Sequence, residues 1–141
     1  MKKTMLVGKT GCGKTTLIQA IQGRTITYKK TQAVSFCDAI IDTPGEFVEN
    51  RRFYSALMAT STPCAMVGLV QDGTANNSVF PPKFGSMFNK PIFGVISKTD
   101  MEECNLERAE KFLRWAGAQE IFLTSSIDNI GIKPLLEHLS Q

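Results

Sequence analysis

Gly8-Lys9-Thr10-Gly11-Cys12-Gly13-Lys14-Thr15 fits the pattern G-x-x-x-x-G-K-[ST], and no other stretch restricts the fold of this chain as much. The apolar Met5-Leu6-Val7 precedes it as a buried strand. A helix is expected from Lys14 to Gln22, with Leu17, Ile18 and Ile21 on one face and Gly23 as its stop. The loop therefore joins a strand to a helix, as anion capture requires. Glycines let successive backbone N–H groups converge at the helix N-terminus, where the helix dipole adds about half a positive charge. The expected phosphate cradle comprises Gly8, Lys9, Thr10, Gly11, Cys12, Gly13, Lys14, Thr15 and Thr16. Lys14 would reach the β- and γ-phosphates and the Thr15 hydroxyl would ligate Mg²⁺.

The rest of the chain alternates short apolar runs with helical patterns, which predicts a parallel sheet with helices on both faces. Ala39-Ile40-Ile41 reads as a strand ending at Asp42, and residues 50–59 as a helix pairing Phe53 with Leu57 and Tyr54 with Met58. The continuous apolar runs Ala65–Val70 and Ile92–Ile96 have the character of strands buried on both faces. Between them Pro81-Pro82 and two glycines permit only a short or irregular helix. A clear amphipathic helix runs from Leu106 to Ala116, capped by Asn105, and Ile121-Phe122-Leu123 is the last strand. A terminal helix carries Leu135, Leu136 and Leu139, with Pro134 in its first turn; His138 and Trp115 read as helix-packing residues.

With 141 residues the chain is expected to be one domain. Hydrophobic residues at 43% and charged residues at 21% exclude disordered and fibrous classes. The net charge of +3 is split unevenly: residues 1–52 hold 9 Lys/Arg against 4 Asp/Glu, and the remainder 7 against 9. A polyanion site belongs in the first third, while neither nucleic acid nor membrane insertion is expected. Cys12, Cys37, Cys64 and Cys104 lie 25, 27 and 40 positions apart, a spacing without metal or redox pattern, so free cytosolic thiols and a cytoplasmic location are expected.

Asp42-Thr43-Pro44-Gly45 is a D-x-x-G at a strand end, where Asp42 can hold the Mg²⁺ shell and the Gly45 N–H can meet the γ-phosphate. Ser97-Lys98-Thr99-Asp100 follows a buried strand, at the sheet edge where ligands bind in open α/β folds. A carboxylate accepting two hydrogen bonds matches the N1–H and N2–H₂ edge of guanine, and adenine offers no such donor pair. Asp100 is thus the expected guanine selector and Lys98 packs its stem along the base. Ser125-Ser126-Ile127 can offer backbone N–H groups to the guanine carbonyl.

These motifs, in this order, resemble the Ras-like P-loop GTPase fold over essentially the whole chain. Further stretches resemble one family of small P-loop proteins, the ethanolamine-utilisation protein P and propanediol-utilisation protein V family. They are Tyr28-Lys29-Lys30-Thr31-Gln32-Ala33, Ile41 to Asn50, Tyr54-Ser55-Ala56-Leu57 and Phe80-Pro81-Pro82 before Met87-Phe88-Asn89-Lys90-Pro91. The resemblance implies a cytoplasmic bacterial protein associated with catabolic microcompartments, partners among their shell proteins, and GTP, GDP and Mg²⁺ as ligands. It also makes Thr31 the switch threonine that closes on Mg²⁺ and γ-phosphate. Lys14, Thr31, Gly45 and Glu46 are then the residues around the transferred phosphoryl group.

Departures from the family pattern shape the expected activity. Ser97 and Ser126 replace commoner residues of the base motifs, and Thr10 stands where Ras-type enzymes keep glycine. Gly11 replaces the ligating Asn of potassium-activated GTPases, and Glu46 replaces a water-orienting Gln. A carboxylate beside the γ-phosphate implies slow hydrolysis, about 10⁻⁴ to 10⁻² s⁻¹ by analogy with unassisted small GTPases. Arg24 is the least poor candidate for an arginine finger. Only 11 positions separate Thr31 from Asp42, so the antiparallel edge strand of small GTPases is expected to be shortened or missing. Two alternatives stay open: an ATP-dependent kinase for a small carboxylate such as acetate, and a shell-docking module with incidental turnover.

Overall fold

A computed structural model describes residues 3–21, 35–37, 40–125 and 130–139. The apolar run ahead of the loop forms β1 (Thr4–Gly8), buried along its whole length, and the loop feeds α1 (Lys14–Ile21). There follow β2 (Ser35–Cys37), β3 (Ile40–Asp42), α2 (Glu46–Glu49), α3 (Tyr54–Ser61) and β4 (Met66–Asp72). The chain continues through β5 (Ile92–Ser97), α4 (Leu106–Ala116), β6 (Glu120–Leu123) and α5 (Ile132–Leu139). The strands form one sheet in the order β2-β3-β1-β4-β5-β6, with β1, β3, β4, β5 and β6 parallel and β2 antiparallel to β3. This is the three-layer α/β fold of P-loop NTPases.

Side chains alternate across the buried strands and build a core on each face. Met5, Val7, Val67 and Leu69 point toward α3, α4 and the aromatic stretch 80–88, where Leu57 and Leu113 are fully buried. Leu6, Met66, Val70, Phe93 and Val95 point the other way, against Leu17 and Ile18 of α1 and Leu135 and Leu139 of α5. Because β1 is flanked by β3 on one side and β4 on the other, the direction in which successive parallel strands are added to the sheet reverses between β1 and β4. A doubly wound sheet opens a ligand crevice there, beyond the carboxyl ends of its strands.

Among the described residues the edge strand β2 has three, paired Ser35 to Asp42 and Cys37 to Ile40. The helix expected over 50–59 is instead three pieces. Asn50 is extended, its side chain caps a 3₁₀ turn over Arg51–Phe53, and α3 runs on to Ser61. Lys90 closes that end by donating to the carbonyls of Thr62, at 2.9 Å, and of Ser61 and Cys64. Where the prolines forbid a long helix, a 3₁₀ segment over Phe84–Phe88 packs Phe84 between a tilted Phe80 and an edge-on Phe88, at 5.3 and 5.6 Å. His138 packs on Phe93 and Phe122 as expected of a helix-packing residue. Trp115 does not: it is 59% exposed, because the apolar stripe of α4 passes through Ala109, Leu113 and Ala116 on the opposite side. Among the described residues no helix is long and apolar enough to cross a membrane.

Candidate functional site

The loop after β1 takes a shape that depends on glycine. Gly11 and Gly13 have φ of 86° and 94°, a region in which a Cβ is strained, and the Cys12 N–H closes the turn onto Lys9 O at 3.0 Å. Leu17 N–H then bonds Gly13 O at 2.9 Å and starts the helix, leaving the first helical amides directed at the loop's concavity. Space beside Gly11 is open. Cys12 turns inward instead, and burial pushes its thiol up to about 11 against the opposing pull of Lys14, so it stays neutral and packs as an apolar residue.

Lys14, Thr15 and Asp42 converge where β1 and β3 end. The buried Lys14 Nζ donates to Asp42 Oδ1 at 2.7 Å, and Thr15 Oγ1 donates to Asp42 Oδ2 at 3.0 Å. A buried ion pair of this kind gives little net stability. The hydroxyl of Thr15 and the carboxylate of Asp42 are hard oxygens, a donor set suited to Mg²⁺.

The segment after Asp42 is folded onto the loop. Thr43 Oγ1 donates to Leu6 O at 2.8 Å, and a Cβ on Gly45 would lie 2.3 Å from both the backbone nitrogen and the hydroxyl of Thr10. Only glycine permits that approach. Val48 then anchors α2 in the core, and Glu49 accepts from Thr10 N–H at 3.2 Å and from Thr10 Oγ1 at 2.9 Å. Glu46, the carboxylate to which the sequence pattern gives the place beside the phosphate, is exposed on the first turn of α2. Glu49 is the one that reaches the loop. A carboxylate at both the first and last position of a one-turn helix was the available signal, since spacing alone does not say which faces inward.

The residues expected to select the base are tied to the glycine loop by their own side chains. Ser97 Oγ donates to Cys12 O, and Lys98 Nζ donates to Gly11 O at 2.9 Å and to Asp72 Oδ2 at 2.7 Å. Lys98 is itself in the left-handed region, φ 60°, a conformation that costs a non-glycine residue about 1 kcal/mol and that these two bonds hold. Asp100, exposed at the crevice mouth, accepts from Ser125 Oγ at 2.7 Å. Thr99 N–H and Oγ1 both donate to Thr124 O, joining the two loops. One expectation changes: the Ser125 N–H donates to Ile130 O at 3.0 Å, so this serine orients Asp100 rather than offering its amide to a base. Ser126, Ile127, Thr31 and Arg24 lie outside the described residues.

Asp72 carries a role that sequence reasoning did not assign. It ends β4, beside the β1/β4 opening, and binds Lys98 and both the N–H and hydroxyl of Thr74. Burial works to raise its pKa, but hydrogen bonds from Lys98 and Thr74 outweigh it and leave the carboxyl below its ordinary 3.8. A lowered folded-state pKa stabilises the protein above the unfolded value, and that stabilisation disappears as pH falls through the folded value. Denaturant titrations at stepped pH are therefore expected to show wild type losing stability below about pH 3.8 more steeply than Asp72→Asn. Equal acid limbs would contradict the pairing.

A cavity of about 120 Å³ opens beside the loop, lined by Lys9, Thr10, Gln71, Asp72 and Asn77 among others. Gln71 Nε2 holds its rim by donating to Asp72 O and Asn77 O, each at 3.2 Å.

Over residues 1–141 the chain matches the PduV-EutP family, described as "Ethanolamine utilisation - propanediol utilisation". It is 39% identical to the propanediol utilization protein PduV of Citrobacter freundii, over 99% of this chain and 94% of that protein. It is 36% identical to the probable acetate kinase EutP of Escherichia coli K12 and 34% identical to that of Salmonella typhimurium LT2, each over 99% of this chain and 90% of the relative. With the family matched along its whole length and relatives above 30% identity covering nearly all of it, the chain belongs to the PduV-EutP family of ethanolamine and propanediol utilisation.

Proposed function

We propose that this protein binds GTP and GDP with Mg²⁺ and hydrolyses GTP slowly, serving ethanolamine or propanediol catabolism at the microcompartment and its shell proteins. The observation that carries the reading is Asp100, a carboxylate oriented by Ser125 at the far end of a phosphate loop to which Ser97 and Lys98 tie it. A carboxylate so held accepts the paired donors of guanine and has no matching pair on adenine. At the other end Lys14 would meet the β- and γ-phosphates, Thr15 and Asp42 would hold the metal together with Thr31, and the Gly45 N–H would face the γ-phosphate. Water attacks the γ-phosphorus, the bond to the bridging oxygen breaks, and GDP and inorganic phosphate leave.

A second reading, phosphoryl transfer to a small carboxylate, is favoured by the cavity beside Lys9 and Thr10 and by the name of the EutP relatives, probable acetate kinase. One turnover experiment separates the two. With GTP and Mg²⁺, phosphate release at about 10⁻⁴ to 10⁻² s⁻¹, unchanged by acetate, is expected. Acetate-dependent nucleotide consumption, with acyl phosphate trapped as its hydroxamate, would replace hydrolysis by the kinase reading.

A further inference from the structure

Thr10 and Glu49 are 39 positions apart, yet both donor groups of Thr10 are spent on one oxygen of Glu49. The contact is built. Pro44 O and Gly45 O accept the first N–H groups of α2, Val48 is 2% exposed in the core, and Phe47 stacks on Phe53 with ring centroids 5.1 Å apart. These fix the turn of α2 that delivers Glu49 to the loop. Its neighbour on the other side of the contact is Gly45, whose Cα has no room for a substituent against Thr10. Since the D-x-x-G glycine is the group placed to meet a γ-phosphate, Thr10 and Glu49 stand at the γ end of the phosphate cradle. There the loop's outermost amide already serves an anion, and that anion is part of the protein.

We propose that Glu49 sets the balance between nucleoside diphosphate and nucleoside triphosphate, disfavouring the triphosphate by holding a negative charge and an occupied amide where the third phosphoryl group must sit. The inference rests on the nucleotide-binding reading of the loop but not on the identity of the base. A diphosphate, bound deeper by Lys14 and the amides from Gly11 to Thr15, leaves the Thr10 to Glu49 contact intact. A triphosphate must share the Thr10 N–H with the carboxylate or move it aside, and in either case two like charges are brought close at the exposed end of the loop. The adjacent Lys9, exposed, does not bridge them by any contact in this structure.

The test is calorimetric titration of wild type and Glu49→Gln with GDP and with a non-hydrolysable GTP analogue in Mg²⁺. Glutamine keeps the size and an acceptor for Thr10 and removes only the charge. The triphosphate-to-diphosphate affinity ratio is expected to rise about tenfold in Glu49→Gln, with GDP affinity held within twofold. Glu49→Ala, which also frees the Thr10 N–H, is expected to raise the ratio at least as far. A ratio unchanged in both variants, or moved toward the diphosphate, overturns the proposal. Repeating the titrations with ADP and an ATP analogue keeps the two readings apart. If guanine and adenine bind equally but the ratio still shifts, base selection fails and Glu49 stands; if guanine is preferred and the ratio does not shift, Glu49 fails and base selection stands.

Discussion

Lys14→Ala is expected to weaken GTP binding by at least about a hundredfold. A buried ammonium that meets both terminal phosphates makes charge-assisted hydrogen bonds worth about 1.5–3 kcal/mol each, and a hundredfold is about 2.7 kcal/mol. The same ammonium is paired with Asp42 at 2.7 Å, so the substitution also strands a buried carboxylate that accepts from the Thr15 hydroxyl. Breaking one side of such a pair costs about 3–5 kcal/mol of stability. The double variant Lys14→Ala with Asp42→Asn separates the two effects. Removing the stranded charge is expected to return most of the melting temperature while GTP affinity stays low. A double variant that regains affinity would place Lys14 outside the phosphate site.

Asp100→Ala is expected to abolish the preference for guanine. Its carboxylate would accept two hydrogen bonds from the base edge, each to a charged acceptor, which together support a discrimination of about a hundredfold or more. The residue is exposed and sits after β5 rather than within it, so the fold is expected to change by no more than about 0.5 kcal/mol. Loss of selectivity with an unaltered melting curve is thus the result to look for. Ser125→Ala, which removes the 2.7 Å bond that aims the carboxylate, is expected to lose a smaller part of the same selectivity.

The strand, glycine loop and helix were legible in the sequence because their residues are consecutive. A strand, a glycine loop and a helix over fewer than twenty residues leave one arrangement, and the structure builds it. The edge strand follows the same kind of reason: 11 positions between Thr31 and Asp42 leave room for a short strand, and the described part of β2 has three residues. What escaped was decided by contacts between distant segments. Asp72 looks like an ordinary strand-end residue until β4 is placed beside β1 and β5, which brings it within 2.7 Å of Lys98. Glu46 and Glu49 are equally plausible by position, and the choice depends on Val48 entering the core and turning Glu49 to Thr10. The Ser125 amide was assigned to a ligand because its pairing with Ile130 comes from a β-bridge that periodicity does not register. Trp115 reads as a packing residue because it is a large aromatic on α4, yet it lies across the helix from the stripe centred on Leu113 and is 59% exposed.

The central claim is that the crevice is made for guanine. Calorimetric competition between GDP and ADP on the wild-type protein in Mg²⁺, repeated on Asp100→Ala, reads it most directly. A wild-type preference for GDP of about a hundredfold that collapses to near unity in the variant is the predicted result. Equal affinity for the two nucleotides in wild type, tighter binding of ADP, or a preference for GDP that survives the loss of Asp100 would contradict it.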